Sequence, residues 1–253
     1  MHKIYTVMID FKLKYQASIF LNAIDMGATP KNISDMLVDF SDKGFIPNIF
    51  QEINNFTPQP QNRFCMQSPN NEWRINIATT RIDVEKNPTD LKGVNLGTET
   101  DFCKEAANFF SRILKRFPRK SHRLAFVSRF LLHEMSEEEL NKIYNKLFNA
   151  PSLYRDNIPF EWNWRVVSHI NKNITEELPS ESFNFVTSIN RINGEIRNNN
   201  SVSLIDRIDL SFDINSIPIK VEERFGIGEI ESFLEKVTEW HDVLKSDIFS
   251  FIE

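Results

Sequence analysis

The chain has 253 residues, of which 41% are hydrophobic and 26% are charged. These proportions are typical of soluble globular proteins, so they exclude a disordered or fibrous chain. The length suits one large domain or two small ones that share a core. The formal net charge of −5 argues against a protein that coats polyanions with its whole surface, so any contact with nucleic acid must be local.

The sequence favours a cytoplasmic protein. The apolar run at the N-terminus stops at Asp10, which is too short for a signal peptide. The longest uncharged run of mainly apolar character, from Tyr15 to Ile24, is about half as long as the ~20 residues that a membrane-spanning helix needs. Cys65 and Cys103 lie far apart and in no CxxC motif, which favours two reduced thiols over a disulfide or a zinc site.

The first part of the chain predicts a strand, a helix and a loop. Apolar residues alternate over residues 5–13, as in a strand with one buried face. Thr29 and Pro30 form a helix start, and a stripe of apolar residues follows until the helix ends near Gly44. The prolines and amides of residues 47–61 predict an irregular loop.

The middle of the chain predicts a hairpin followed by a helix, a strand and a helix. The hairpin has arms at residues 63–67 and 72–84. A linker over 85–98 leads to a helix that starts at Thr98 and stops at Pro118. Residues 121–134 predict a strand with a basic side, and Ser136 with Glu139 is a capping box for the next helix.

The C-terminal part predicts an antiparallel meander and one long helix. Alternating runs occupy residues 160–170, 183–196 and 202–214, and apolar residues then form a broad stripe over residues 230–251. The fold class is therefore α+β, with antiparallel or mixed sheets covered by helices, in the order β-α-β-β-α-β-α and then β-β-β-α. We divide the chain into an N-terminal unit, residues 1–150, and a meander with the long helix, residues 151–253, packed together.

The last fifty residues carry a family resemblance. The alternating aspartates of residues 204–213, a long helix with Trp240 and His241, and the closing Phe-Ser-Phe-Ile resemble a family of sporadically distributed bacterial proteins of about this length. That family has no assigned function. Its patchy distribution implies mobile, defence-associated genes, and it supplies no catalytic residues.

A basic segment is the clearest candidate for binding. Between Ala107 and His133 the sequence has no acidic residue. Seven cations occur there: Arg112, Lys115, Arg116, Arg119, Lys120, Arg123 and Arg129. Such a patch is suited to phosphate contacts in RNA or DNA. The alternative is a solvated or protein-facing patch whose cations offset the dipole of a helix C-terminus or pair with acidic residues from elsewhere.

The acidic strand does not predict a metal site. Asp209 and Asp213 share a strand face but lie about 13 Å apart at the usual rise per residue, and Asp206 points to the other face. Arg207 shares the face of Asp209, so we expect an ion pair between them. No cofactor is indicated either, because Gly226 and Gly228 lack the third glycine of a dinucleotide fingerprint and no P-loop is present.

No catalytic constellation is complete. His133 is followed by Glu134 but lacks a second histidine four residues on, as a metalloprotease helix requires. His241 is predicted to be a hydrogen-bonded core histidine. Cys103 falls near a helix start, where a thiolate is stabilised, yet no partner can be named. Whether His133, His169 or Cys103 join a site depends on tertiary structure.

These observations favour a non-enzymatic interaction or regulatory subunit that binds a protein partner or a second copy of itself. The alternatives are an RNA- or DNA-binding module that uses the basic segment, and a hydrolase or nuclease whose residues meet only in three dimensions. Trp162 and Trp164 share a strand face, which predicts core packing or, if the sheet is open there, a binding surface.

Overall fold

The computed structural model describes residues 8–54, 57–176, 179–198 and 201–253. The strands are β1 (Ile9–Phe20), β2 (Ile46–Asn54), β3 (Thr57–Gln67), β4 (Trp73–Ile77), β5 (Arg81–Lys86), β6 (Arg123–Leu132), β7 (Trp162–Lys172), β8 (Glu181–Asn198) and β9 (Ser201–Ser216). The α-helices are α1 (Pro30–Asp39), α2 (Glu99–Arg116), α3 (Glu137–Leu147), α4 (Ser152–Asp156) and α5 (Ile227–Ile252).

All nine strands form one antiparallel sheet in the order β2-β3-β4-β5-β1-β6-β9-β8-β7. The α+β class predicted from the sequence is therefore present. Residue 150 lies between α3 and α4, and the sheet continues across that point because β6 pairs with β9. Helices α2 and α5 also contact each other.

The predicted helix starts are confirmed in atomic detail. The Thr29 side chain accepts a hydrogen bond from the Asn32 amide at 3.2 Å and thereby caps α1. Thr98 caps α2 in the same way. Before α3, Ser136 and Glu139 form the full capping box. Each side chain satisfies an amide that the first turn of the helix leaves without a partner.

The prediction of a loop over residues 47–61 is wrong. This segment forms β2 and the first half of β3, which pair with each other. Pro47 is tolerated because β2 is an edge strand, where a missing amide costs no ladder hydrogen bond on the outer side. The N-terminal half of β3 extends beyond β4, whose pairing starts at Phe64, so Pro60 also has one free side.

Two other boundaries differ from the prediction. The single strand expected over residues 72–84 is a second hairpin, β4 and β5, joined at residues 78–80. Strand β1 runs on to Phe20, because Tyr15, Ala17 and Ile19 continue the buried alternation. The start of the predicted first strand, at Tyr5 and Val7, lies outside the described residues. The observed order is β-α-β-β-β-β-α-β-α-α-β-β-β-α.

The core lies between one face of the sheet and the helices. Aromatic pairs join the two layers, such as Tyr15 with Phe102 of α2 at 5.6 Å and Phe183 with Phe233 of α5 at 5.7 Å between ring centroids. Burial of such rings is a major source of folding free energy. The meander and the 26-residue final helix were both predicted correctly.

Arg63 closes one end of the sheet from a fully buried position. Its guanidinium donates hydrogen bonds to the carbonyl oxygens of Ala23, Ile24, Ile77 and Ala78 at 2.6 to 3.2 Å. The side chain is 1% exposed. These bonds fasten the chain after β1 to the turn between β4 and β5, so Arg63 has a structural role.

Candidate binding surface

The sheet has a second face, which points away from the helices, and we call it the open face. Residues directly opposite in an antiparallel sheet share a face, so the pairing identifies its members. They include Lys14, Gln16, Ser18 and Phe20; Arg81, Asp83 and Glu85; Arg123, Ala125, Val127 and Arg129; Arg207, Asp209, Ser211, Asp213 and Asn215; Asn184, Val186, Ser188 and Asn190; and Asn163, Arg165, Val167 and His169. Most are polar or charged.

Polar side chains at the centre of the open face form separate hydrogen-bonded clusters. The Ser18 hydroxyl donates to Asp83 at 2.6 Å. Two strands away, Asn215 accepts from Arg123 at 2.9 Å and from Asn184 at 3.0 Å. Several of these groups are nearly inaccessible, with Asn215 3% and Asp83 3% exposed. Because these bonds hold the side chains in place, the clusters form a preorganised polar floor.

Burial changes the acidity of this floor. Desolvation raises the pKa of the Asp83 and Asp213 carboxyls above their ordinary value, although hydrogen bonds from Ser18 and Asn215 act in the opposite direction. Desolvation also lowers the pKa of Arg123, whose buried Nε has no hydrogen-bond partner among the described residues. Charged groups that are incompletely solvated gain when a partner supplies the missing contacts.

One row of residues crosses the open face from β1 to β7. Pairing places Lys14, Arg129, Ser211, Ser188 and Arg165 side by side. Arg129 forms a bidentate ion pair with Asp209 at 2.8 and 2.6 Å, yet it is 53% exposed. The small side chains of Ser211 and Ser188 therefore lie between the exposed side chains of Arg129 and Arg165. The backbones that carry these two arginines are about 14 Å apart at the usual strand spacing.

The seven predicted nucleic-acid residues fall on two separate surfaces. Arg123 and Arg129 lie on the open face, with Lys14, Arg81 and Arg165 from other strands. Arg112, Lys115 and Arg116 lie at the end of α2, and Arg119 and Lys120 follow in the loop. The sequence did not reveal the additional cations of the open face, because they come from strands distant in the chain.

Acidic partners bind the arginines at the end of α2. Arg112 pairs with Asp42 at 2.6 and 3.1 Å, Arg116 with Asp39 at 2.8 and 2.6 Å, and Arg119 with Asp25 at 2.7 and 2.8 Å. Each hydrogen bond raises the pKa of its arginine. Lys115 and Lys120 are exposed, and neither forms an ion pair with a described residue.

Two aspartates of β9, Asp206 and Asp209, form ion pairs with arginines. Asp209 binds Arg129, and Asp206 on the opposite face binds Arg191 at 2.8 and 2.7 Å. The expected pair of Arg207 with Asp209 is wrong, because Arg207 reaches Asp10 on β1 at 2.6 Å. Over the described ranges, no group of three or more metal-ligating side chains comes together.

The structure does not bring the candidate nucleophiles and bases together. His169 is exposed on β7, which lies three strands from β6, so about 14 Å separates it from the strand that His133 follows. Cys103 is buried in α2, and desolvation raises the pKa of its thiol, with Glu99 adding to the effect. A thiolate is therefore disfavoured at Cys103, contrary to the expectation from the helix start.

A serine–histidine–carboxylate arrangement is present that sequence reasoning missed. His241 Nε2 lies 2.7 Å from the Ser128 hydroxyl, and His241 Nδ1 lies 3.8 Å from Glu99 Oε1. Ser128 and His241 are both 0% exposed, so no substrate can reach the hydroxyl. The prediction of a hydrogen-bonded core histidine is confirmed. The sequence feature that could have indicated this arrangement is Ser128, a polar residue at a position of β6 where the alternation calls for an apolar one.

A shallow groove of about 810 Å³ lies between α2 and α5. Its floor contains the small side chains of Cys103, Ala107 and Ser111, and its rim on α5 includes Glu231 and Glu235. The groove runs along the contact between α2 and α5.

Strand β7 forms one edge of the sheet. Trp162 is buried and Trp164 half-buried, whereas Val166 and Ile170 on the same face are 37% and 38% exposed. The face of β7 that carries Trp162 therefore packs into the core at the start of the strand and is exposed to solvent farther along it.

Comparison with protein-family models, with curated proteins and with solved structures gave no match. Within the ranges that the structure describes, no helix is both long and apolar enough to cross a membrane.

Proposed function

We propose that the protein is a non-enzymatic interaction or regulatory subunit whose open face and adjoining edge strand bind another protein. The observation that carries this proposal is the nine-stranded sheet itself, which the helices of the described ranges cover on one side. Its other side is a broad, ordered surface of hydrogen bonds and ion pairs.

The composition of the open face supports a protein partner. Charges of both signs alternate with amides, hydroxyls and the apolar side chains of Val127, Val167 and Val186. Mixed polar surfaces of this kind give specificity through electrostatic complementarity in protein complexes. The buried position of Ser128 and His241 speaks against hydrolysis by this serine–histidine–carboxylate arrangement.

The experiment is a steric block at the centre of the open face. Ser211→Trp places a large ring on the low row between Arg129 and Arg165, whereas Lys104→Trp places the same ring on the exposed surface of α2. Each tagged variant is purified from the native host at high salt. We expect Ser211→Trp to lose a partner that wild type and Lys104→Trp retain. If wild type and both variants retain the partner, the open face is not the binding surface.

The second candidate is an RNA- or DNA-binding module. The specific observation in its favour is that Arg123 and Arg129 join Lys14, Arg81 and Arg165 on the open face, although Asp83, Glu85, Asp209 and Asp213 offset much of their charge. Phosphate contacts would release counterions, so binding would weaken steeply with salt.

Two charge-reversal variants test this candidate. Arg129→Glu with Arg165→Glu alters the open face, and Lys115→Glu with Lys120→Glu alters the end of α2 by the same charge. Binding of a fluorescent single-stranded oligonucleotide is measured over a range of salt concentrations. Loss in the first variant alone assigns the open face, and loss in the second alone assigns the helix end. Binding that neither variant weakens, or no binding by wild type, contradicts the candidate.

The cellular setting belongs to the same proposal. A cytoplasmic, bacterial and defence-associated assembly is supported by the cysteine usage and by the resemblance of the last fifty residues. A second copy of the chain is the alternative partner, and its presence would be visible as a dimer in size-exclusion chromatography with light scattering.

A further inference from the structure

Strand β7 has a free outer edge. It is the last strand of the sheet order and pairs with β8 over eleven consecutive residue pairs without a register shift. Over the described ranges no other strand pairs with β7, so every second residue directs its backbone N–H and C=O groups outward. Such groups bind most completely to the backbone of another extended chain.

The opposite edge of the sheet is less suited to strand addition. Strand β2 contains Pro47, which has no N–H, and its register against β3 shifts between Glu52 and Asn54. Proline and irregular pairing are common devices against edge pairing. Strand β7 contains neither proline nor glycine, so its edge is regular and open.

The two faces of β7 specify what an added strand would contain. On the helix side, Trp164, Val166 and Ile170 leave apolar surface uncovered, and the preceding Phe160 is 68% exposed. On the open face, Arg165 and His169 are exposed, and no acidic residue occurs anywhere in β7. An incoming strand is therefore complementary if apolar residues on one side alternate with acidic residues on the other.

We propose that β7 binds an extended segment of a partner protein as a tenth strand, with apolar side chains against Val166 and Ile170 and acidic side chains opposite Arg165. This inference rests on the proposed function, because it identifies the kind of partner that the subunit takes. Backbone hydrogen bonds supply the affinity, and the alternating side chains supply the specificity.

The test uses synthetic peptides of about ten residues, the length that spans β7. The probe alternates valine with glutamate, and the control peptide alternates valine with lysine. We expect wild type to bind the glutamate peptide, measured by fluorescence anisotropy. Arg165→Glu should weaken that binding at least about fivefold and favour the lysine peptide. Lys104→Glu, the same charge change on α2, should bind like wild type.

A second pair of peptides tests the binding mode. Glutamate peptides N-methylated at every second residue lose the amide donors of one edge only. Strand addition requires that methylation of one edge abolishes binding and that methylation of the other edge does not. The proposal would be overturned if methylation of either edge weakened binding equally. It would also be overturned if Arg165→Glu bound the glutamate peptide as well as wild type does, or if wild type did not bind that peptide.

Failure of strand addition is distinguishable from failure of the proposed function. Suppose that Ser211→Trp loses the native partner and Arg165→Glu retains it. The open face would then be the binding surface, and β7 would take no part in binding. A wild-type dimer that Arg165→Glu converts to a monomer would make a second copy the occupant, which overturns the assignment to a different protein.

Discussion

Ser128 on β6 and His241 on α5 are joined by a 2.7 Å hydrogen bond inside the core, although 113 residues separate them in the chain. Phe126 and Phe212 flank the imidazole, with ring centroids 5.5 and 5.0 Å away. The bond connects the long final helix to the centre of the sheet. Complete burial lowers the pKa of His241 to about 4, and the opposing attraction of Glu99 does not offset this.

The first prediction concerns pH and His241. Between its ordinary pKa of 6.5 and its folded value of about 4, the unfolded chain binds a proton that the native protein does not. The free energy of unfolding should therefore fall as pH drops from 7 to 5, and His241 should contribute about 2 kcal/mol of that fall. Urea denaturation at both pH values measures it.

His241→Gln removes the titrating ring and keeps a polar side chain. This variant should be less stable at pH 7 and should lose about 2 kcal/mol less than wild type between the two pH values. His169→Gln, on the exposed part of β7, is the matched control and should keep the wild-type stability at pH 7. An unchanged pH dependence in His241→Gln would show that the imidazole is not buried in its neutral form.

The second prediction concerns the ion pair between Glu99 and Lys245, whose atoms are 3.0 Å apart. Burial by itself raises the pKa of Glu99, but the attraction and the hydrogen bond of Lys245 bring it below the ordinary value. Lys245→Met removes the main partner from a nearly buried carboxylate, which should cost about 3 kcal/mol. The double variant with Glu99→Gln should recover most of this loss in a double-mutant cycle. Additive losses would contradict the pairing.

The third prediction concerns Arg63. Arg63→Lys keeps the positive charge but cannot reach four carbonyl oxygens with one planar group. We expect a loss of about 2 to 4 kcal/mol, since buried carbonyls are left without donors. Arg74→Lys, in the neighbouring β4, is a control without such carbonyl contacts among the described residues. Equal stability of both variants would refute the role assigned to Arg63.

The fourth prediction compares two glycines with the same backbone conformation. Gly93 and Gly44 have φ values of 65° and 60°. A Cβ at Gly93 would overlap the carbonyl oxygen of Lys12, whereas a Cβ at Gly44 would meet open space. Gly44→Ala should cost about 1 kcal/mol for the left-handed conformation alone. Gly93→Ala should lower the melting temperature much further, and equal shifts would contradict the close approach at Lys12.

Local sequence signals predicted the helices and the meander well. The caps at Thr29, Thr98 and Ser136 determine where helices start, and each acts within a few residues of chain. The loop predicted over residues 47–61 failed for a tertiary reason, since Pro47 is compatible with a strand only when that strand lies at an edge. Edge position is a property of the whole sheet, which no local pattern contains.

The candidate surface was predicted only in part. Arg123 and Arg129 were identified from the basic segment, but the residues beside them, Arg81 and Arg165, come from other strands. Sheet order brings them together, and sequence spacing does not indicate that order. The aspartates that bind Arg112, Arg116 and Arg119 likewise come from the chain before and after α1 and from its end.

The most direct test of the account is native purification of the tagged protein from its host at low and at high salt, with protein and nucleic acid analysed together. We expect a protein partner in fixed stoichiometry that remains bound at high salt and cross-links to the open face or to β7. A chain that purifies alone at both salt concentrations, as a monomer and with neither protein nor nucleic acid, would contradict it.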